Sequence, residues 1–157
     1  MADRKMKIVL YAPDIPGNTR TIGRTCVALG IQLILIKPYG FSLDEKELRR
    51  AGLDYWKFLD LKEYDSWDDF YLGEAPERSQ LFFLTTKTER VYFNAQYPKN
   101  CYLIFGKETK GLPEHIHNDF ADRMYTMPMG SPHIRSLNLA NAATAVIYEA
   151  LRVTEYT

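Results

Sequence analysis

Short apolar runs alternate with helical patterns along this chain. KIVLYA (Lys7–Ala12), QLILIK (Gln32–Lys37), QLFFLT (Gln80–Thr85), CYLIF (Cys101–Phe105) and RMYTMP (Arg123–Pro128) read as strands. Most are continuously apolar at their centres, as strands covered on both faces are. Between the first two, the spacing predicts a helix starting near Asn18 and ending at Gly30, with Asn18 or Thr19 as its N-cap. Leu43–Ala51 and Ser66–Leu72 are shorter helix candidates, and Ser66 with Asp69 resembles a capping box. This alternation predicts an α/β fold: a mainly parallel sheet, right-handed crossovers and helices on both faces. No repeat, low-complexity tract or linker interrupts it, so residues 1–157 read as one domain.

The segment from Tyr125 to Arg152 breaks the amphipathic pattern. After Pro128, Gly130 and Pro132 it becomes a helix whose Leu137, Leu139, Ala140, Ala142, Ala143, Ala145, Val146, Ile147, Ala150 and Leu151 leave almost no solvent face. A helix apolar all round is expected to be buried on several sides or shared with a second subunit. Arg135, Ser136, Asn138 and Asn141 are expected in its first turn, where free backbone N–H groups suit a ligand.

Composition narrows the possibilities only a little. Hydrophobic residues make up 46% and charged residues 25%, and the formal net charge is +0. A nucleic-acid partner would therefore have to be held by a local patch, not by a global basic field. Cys26 and Cys101 lie inside apolar runs, with no CxxC, no secretion signal and no run of membrane-spanning length. They read as reduced core thiols of a cytoplasmic protein with no membrane partner.

In parallel sheets, ligands bind beyond the carboxyl ends of the strands. That rule selects Pro13–Thr21, Thr85–Thr88, Gly106–Pro113 and Met129–Ser136. In FGKETKGLP (Phe105–Pro113), Gly106 and Gly111 permit backbone conformations a side chain would forbid, and would let a ligand approach closely. Leu112 follows where a phosphate loop needs Lys, and no G-x-G-x-x-G exists. On the first helix, Ile22, Cys26 and Leu29 form a stripe toward the sheet, and Arg24 points away from it. Alone, Arg24 reads as a surface arginine; its nearness to the ligand-side loop, beside Arg20, favours a functional role. His115 and His117, with Glu114 and Asp119, match no metal-ligand spacing, so no metal is expected. Tyr148, set among Ala and Ile, reads by itself as core. The mixed charges of Asp44–Arg50 read as a solvated face.

Taken together, PDIPGNTRTIGRTC, LIFGKETKGLP and MPMGSPHIRSLNLANAATAVIYEALR resemble the three motifs of SPOUT methyltransferases. FSLDEKELRRAGLDYWKF after the second strand is similar to the branch of tRNA (cytidine/uridine)-2′-O-methyltransferases that act on wobble nucleotide 34. The resemblance implies a deep C-terminal trefoil knot, a homodimer, the tRNA anticodon stem-loop as partner, and S-adenosylmethionine converted to S-adenosylhomocysteine. Leu84, Gly106, Met127 and Ser136, with Glu108, Leu112, Leu137 and Asn138, are the implied cofactor residues. Arg24 is the implied catalytic residue, with Asn18 orienting it or the ribose. Arg20, Lys107, Arg135 and Tyr148 fall on the implied substrate side. The chain departs from the family pattern at Arg20-Thr21, where Gly-Asn is usual, at Lys107 and at Met127. A guanidinium is a poor base, so charge stabilisation of the developing alkoxide stands beside general-base catalysis for Arg24. A ribose methyltransferase acting on another RNA, such as rRNA, and a non-catalytic RNA-binding module of the same fold are the alternatives. Small size favours tRNA over rRNA, and the intact Asn18, Arg24, Glu108, Ser136 and Asn138 set argues against the module.

Overall fold

The apolar runs assemble into six strands: β1 (Lys7–Tyr11), β2 (Gln32–Ile36), β3 (Leu61–Tyr64), β4 (Leu81–Leu84), β5 (Tyr102–Phe105) and β6 (Met124–Tyr125). The structure is a computed structural model and describes residues 3–157. The strand order is β3-β2-β1-β5-β4-β6, with every pairing parallel. β3 was not expected from the pattern. It is an edge strand, and its Lys62 and Glu63 are exposed, so its sequence lacks the apolar centre that marks the others.

Helices α1 (Pro16–Leu29), α2 (Glu45–Arg50), α3 (Trp67–Glu74), α4 (Glu114–Asp119) and α5 (Leu139–Glu155) complete the fold. The two-residue period of the strands divides their side chains between two cores. Ile8, Leu10, Leu33, Leu35, Leu103 and Phe105 pack with Ile22 and Cys26 of α1 and with Ala143, Val146 and Ile147 of α5. Val9, Ile34, Ile36, Phe83 and Ile104 pack on the opposite face with Trp67 and Phe70 of α3 and Ile116 of α4. Cys26 and Cys101 are buried, and burial pushes both thiols up to about 12, so they stay protonated. Among the described residues, no helix is long and apolar enough to cross a membrane.

Two helix starts differ from expectation. α1 begins at Pro16, with Ile15 in the cap position and no side-chain cap of its own. Proline suits a first helical position because its missing N–H would be unpaired there anyway. Asn18 therefore sits inside the first turn. α5 begins at Leu139, because the Asn138 side chain accepts from the Asn141 amide at 3.1 Å and caps the helix there. Arg135 and Ser136 thus belong to the preceding loop. Gly30, by contrast, ends α1 in the left-handed conformation expected of it, and Ser66 accepts from the Asp69 amide as the cap of α3.

The apolar wrap of α5 is also only half covered. Asn141, Ala145, Tyr148 and Arg152 form an exposed stripe opposite its buried residues. Tyr148 is 54% exposed, which overturns its reading as core. The i, i+4, i+7 spacing places it on the face turned from the sheet.

At the other end of the sheet, Glu74 is nearly fully buried and holds α3 to three strands. Lys7 Nζ and Tyr102 Oη donate to its Oε1 at 2.9 Å each, and Lys62 Nζ donates to Oε2 at 2.8 Å. Tyr64 Oη also donates to Oε2. Burial alone would raise the carboxyl, but these hydrogen bonds outweigh it and hold Glu74 down to about 2. A carboxyl depressed on folding stabilises fully above its unfolded value near 4.5, and the benefit disappears as pH falls toward 2. Denaturant melts of the parent protein should therefore lose on the order of 2–3 kcal/mol more than Glu74→Gln does between pH 6 and pH 2. Parallel pH profiles for the two proteins would remove this account.

Candidate active site

The loops that leave β4, β5 and β6 and the entry to α5 enclose a cleft of about 540 Å³. It lies beyond the carboxyl ends of the strands, beside the β1–β5 junction where the strand order reverses. Leu84, Leu112, Met127, Leu137 and Leu139 give it apolar walls. Gly106, Glu108, Ser136 and Asn138 supply backbone and polar groups at the same cleft. Apolar walls with a few convergent polar groups suit a nucleoside-sized ligand.

Gly106 lines this cleft, and its own loop also leaves no room for a side chain there. A Cβ at position 106 would lie 2.3 Å from the carbonyl carbon of Gly111 and 2.4 Å from the nitrogen of Leu112. The loop folds back on itself: the Lys107 and Gly111 amides donate to each other's carbonyls at 3.3 and 2.8 Å. Gly111 has φ 67°, a left-handed backbone that favours glycine. The bare backbone at Gly106 is needed first by the loop's own return.

At the rim, Glu108 joins the cleft loop to the start of α1, and Asn18 carries the link on to Asn138. Glu108 accepts from the amides of Asp14 at 2.9 Å and Ile15 at 2.8 Å. These donors stand at the start of α1, where no side chain of the helix itself caps them, and a negative group there is favoured by the helix dipole. Glu108 also accepts from Asn18 Nδ2 at 3.2 Å, while Asn18 Oδ1 accepts from Asn138 Nδ2 at 3.1 Å. Asn18 is thus buried between the cleft loop and the cap of α5. The same junction holds Asp14, whose carboxylate accepts from Thr109 Oγ1 at 2.7 Å and lies 3.9 Å from Lys107 Nζ. Ala12, just before this loop, is buried with φ 46°, a strained conformation for a residue with a Cβ and one that clusters at functional sites.

All eight residues assigned to the cofactor line the cleft, and so do Asn18 and Lys107. Arg24, Arg20, Arg135 and Tyr148 do not. Arg24 is exposed on α1, off the buried Ile22 and Cys26 stripe, with its guanidinium 5.2 Å from the centre of the Tyr55 ring. Arg20 lies one turn earlier, and its Nε is buried without a hydrogen-bond partner. Arg135 is exposed in the loop before α5.

Sequence reasoning assigned no role to Thr85, Thr86, Lys87, Thr126 or His117, which also line the cleft. The strand-end rule selects the loop after β4, and Thr85 Oγ1 there accepts from the Lys87 amide at 3.1 Å. His117 gave no usable signal, because it is placed by α4, a six-residue helix with no periodic pattern. Burial, and then the nearby Lys87 charge, lowers its pKa, so it is a neutral donor or acceptor at neutral pH. Among the described residues, no group of three or more His, Cys, Asp or Glu is placed to hold a metal.

Comparisons with known proteins agree with this architecture. Residues 5–148 match the SpoU rRNA Methylase family. A Yersinia pestis protein named tRNA (cytidine(34)-2′-O)-methyltransferase is 44% identical over 155 residues, covering 96% of this chain and 95% of its own. A solved structure concerned with 2-OH methylation of C/U34 on tRNA superposes with a TM-score of 0.83 at 42% identity, covering 94% of this chain and 95% of that one. The SpoU methyltransferase AviRb from Streptomyces viridochromogenes, solved with AdoMet, superposes with a TM-score of 0.78 at 26% identity. That match covers 96% of this chain and 61% of AviRb.

Proposed function

This chain belongs to the SpoU methylase family, and from that premise we propose that it methylates the ribose 2′-hydroxyl of wobble nucleotide 34 in tRNA, using S-adenosylmethionine. The observation that carries the proposal is the joining of three distant segments at one cleft. Glu108 and Asn18 connect the start of α1 to the cleft loop, and Asn138 connects both to α5. The cleft's apolar walls and exposed backbone suit an adenosine, and Ser136 and Asn138 offer polar contacts beside it. When bound, S-adenosylmethionine supplies an activated methyl group on a sulfonium. Leu84, Gly106, Leu112, Met127 and Leu137 would hold it, and Asn18 and Glu108 would set the rim against which the substrate is aligned. Arg24 presents a permanent positive charge where the ribose oxygen gains negative charge, with Asn18, held by Glu108 and Asn138, orienting it or the ribose. Arg20, Lys107 and Arg135 are available to the phosphate backbone of the anticodon stem-loop.

The reading includes one cytoplasmic domain with the C-terminal knot that accompanies this fold. Thr126, just after β6, donates to the Arg90 carbonyl at 2.7 Å and accepts from the Tyr92 amide at 2.9 Å, so the β4–β5 connection packs on the strand that leads to α5. It also includes a homodimer. Tyr148 is 54% exposed beside the exposed Ala145 on the uncovered side of α5, and Leu137, in the loop before it, is 46% exposed. A partner covering that side would bring a second set of arginines to the site. Sedimentation at micromolar concentration should give a dimer, and Tyr148→Glu should shift it toward monomer. A stable parent monomer would defeat this part.

Nucleoside mass spectrometry of total tRNA from a strain lacking the protein tests the function. Methylated nucleotide 34 should disappear and return on complementation. Loss of an rRNA ribose methylation, with position 34 unchanged, would favour the other RNA substrate.

A further inference from the structure

Resting on the reading of Arg24 as the charge at the reacting hydroxyl, we propose that Tyr55 is a positioning residue that grips the Arg20–Arg24 turn and aims the Arg24 guanidinium. Tyr55 lies in a short 3₁₀ helix, Asp54–Phe58, between α2 and β3. Its hydroxyl donates to the Arg20 carbonyl at 3.3 Å, and its ring lies 5.2 Å from the Arg24 guanidinium carbon. The Arg20 carbonyl is four residues before Arg24, so in an α-helix it also accepts from the Arg24 amide. One side chain therefore holds both the backbone and the charged end of a single turn.

The neighbouring residue shows that this docking is close. Trp56 is buried, and a Cβ at Gly23 would lie 2.5 Å from its ring. Only glycine at position 23 lets the Asp54–Phe58 segment approach α1 this closely, and that approach brings Tyr55 under Arg24. Ring–cation contacts occur elsewhere in the chain, as between Lys57 and Phe58. At the Arg20–Arg24 turn, hydroxyl, ring and glycine converge.

Arg24 has little else to fix it. Among the described residues no ion pair involves it. An exposed arginine without a partner samples many rotamers, and only a fraction of these would place its charge at one oxygen. The negative face of an aromatic ring narrows that choice.

The test is a double-mutant cycle on the full-length protein with tRNA and S-adenosylmethionine. Tyr55→Leu should lower kcat about tenfold, the scale of a partly desolvated cation–π contact. KM for tRNA and calorimetric cofactor affinity should stay near parent values. Tyr55→Phe, which keeps the ring, should fall between parent and Tyr55→Leu. In the Arg24→Ala background, Tyr55→Leu should cost nothing further, because its effect passes through the absent guanidinium. If Tyr55→Leu does not fold, Tyr55→Gln carries the same expectation, since it keeps a polar end and removes the ring. Parent-level kcat in a ringless variant, a change confined to KM, or a loss that adds fully to Arg24→Ala would each overturn the proposal. An Arg24→Ala protein with parent activity would overturn the underlying reading as well, whereas an inactive Arg24→Ala with an undisturbed Tyr55→Leu overturns only this one.

Discussion

Arg24→Ala is expected to lower the methylation rate by roughly 10²–10³, the usual loss when one stabiliser of developing charge is removed. Folding and cofactor affinity should be nearly unchanged. Arg24 is exposed and projects away from the buried Ile22 and Cys26, so its removal opens no cavity. It also lies outside the residues that line the cleft. The loss should therefore fall on turnover, measured in single-turnover reactions with tRNA and S-adenosylmethionine saturating. Arg24→Lys separates two roles for the side chain. A pure charge effect would be partly rescued, whereas a need for the planar fork over the Tyr55 ring would not, because an ammonium cannot reproduce that shape. A near-parent rate for Arg24→Ala would reduce the residue to a surface arginine and remove it from the mechanism.

Gly106→Ala is expected to abolish cofactor binding by calorimetry and to lower the melting temperature. The added Cβ would meet backbone atoms of Gly111 and Leu112 at 2.3 and 2.4 Å. Backbone cannot rotate aside as a flexible side chain can, so the loop must open or β5 must shift. Opening the loop would also carry Glu108 from the amides of Asp14 and Ile15 that it pairs. Gly111→Ala should be milder. No atom lies within 4 Å of its Cβ, and only the left-handed φ of 67° opposes it, at about 1–2 kcal/mol. Gly40→Ala, with no neighbour within 4 Å and no positive φ, serves as the control and should behave as the parent. Calorimetry showing parent affinity in Gly106→Ala would mean that the loop tolerates opening or that the cofactor sits elsewhere.

These two residues show how differently the site was written in the sequence. Arg24 was legible as a residue turned from the sheet, because helix periodicity alone separates it from Ile22 and Cys26. Its pairing with Tyr55 was not, because the two lie on different elements and no local pattern reports their meeting. Gly106 was legible as a special backbone position, but the contact within its own loop was not. The atoms it must avoid belong to its own chain, five and six residues on, and only the closed loop reveals them.

The strands of the sheet's centre, the α/β class and the four loops at the strand ends followed from apolar runs and from Gly and Pro positions. Local physics governs these features: strand burial, capping and turn preference act over a few residues. β3 escaped because an edge strand can be polar, and α4 because six residues carry no period. The helix starts at Pro16 and Leu139 were set by partners as well as propensity, since Glu108 pairs the amides before α1 and Asn138 both caps α5 and reaches Asn18. The cleft itself arose only in three dimensions. Leu84, Glu108, Met127 and Asn138 are separated by long stretches of chain, and their convergence depends on the parallel order β1-β5-β4-β6. Sequence decided which segments could form strands, turns and caps; tertiary structure decided which of them meet, because hydrogen bonds and contacts between distant residues have no local signature.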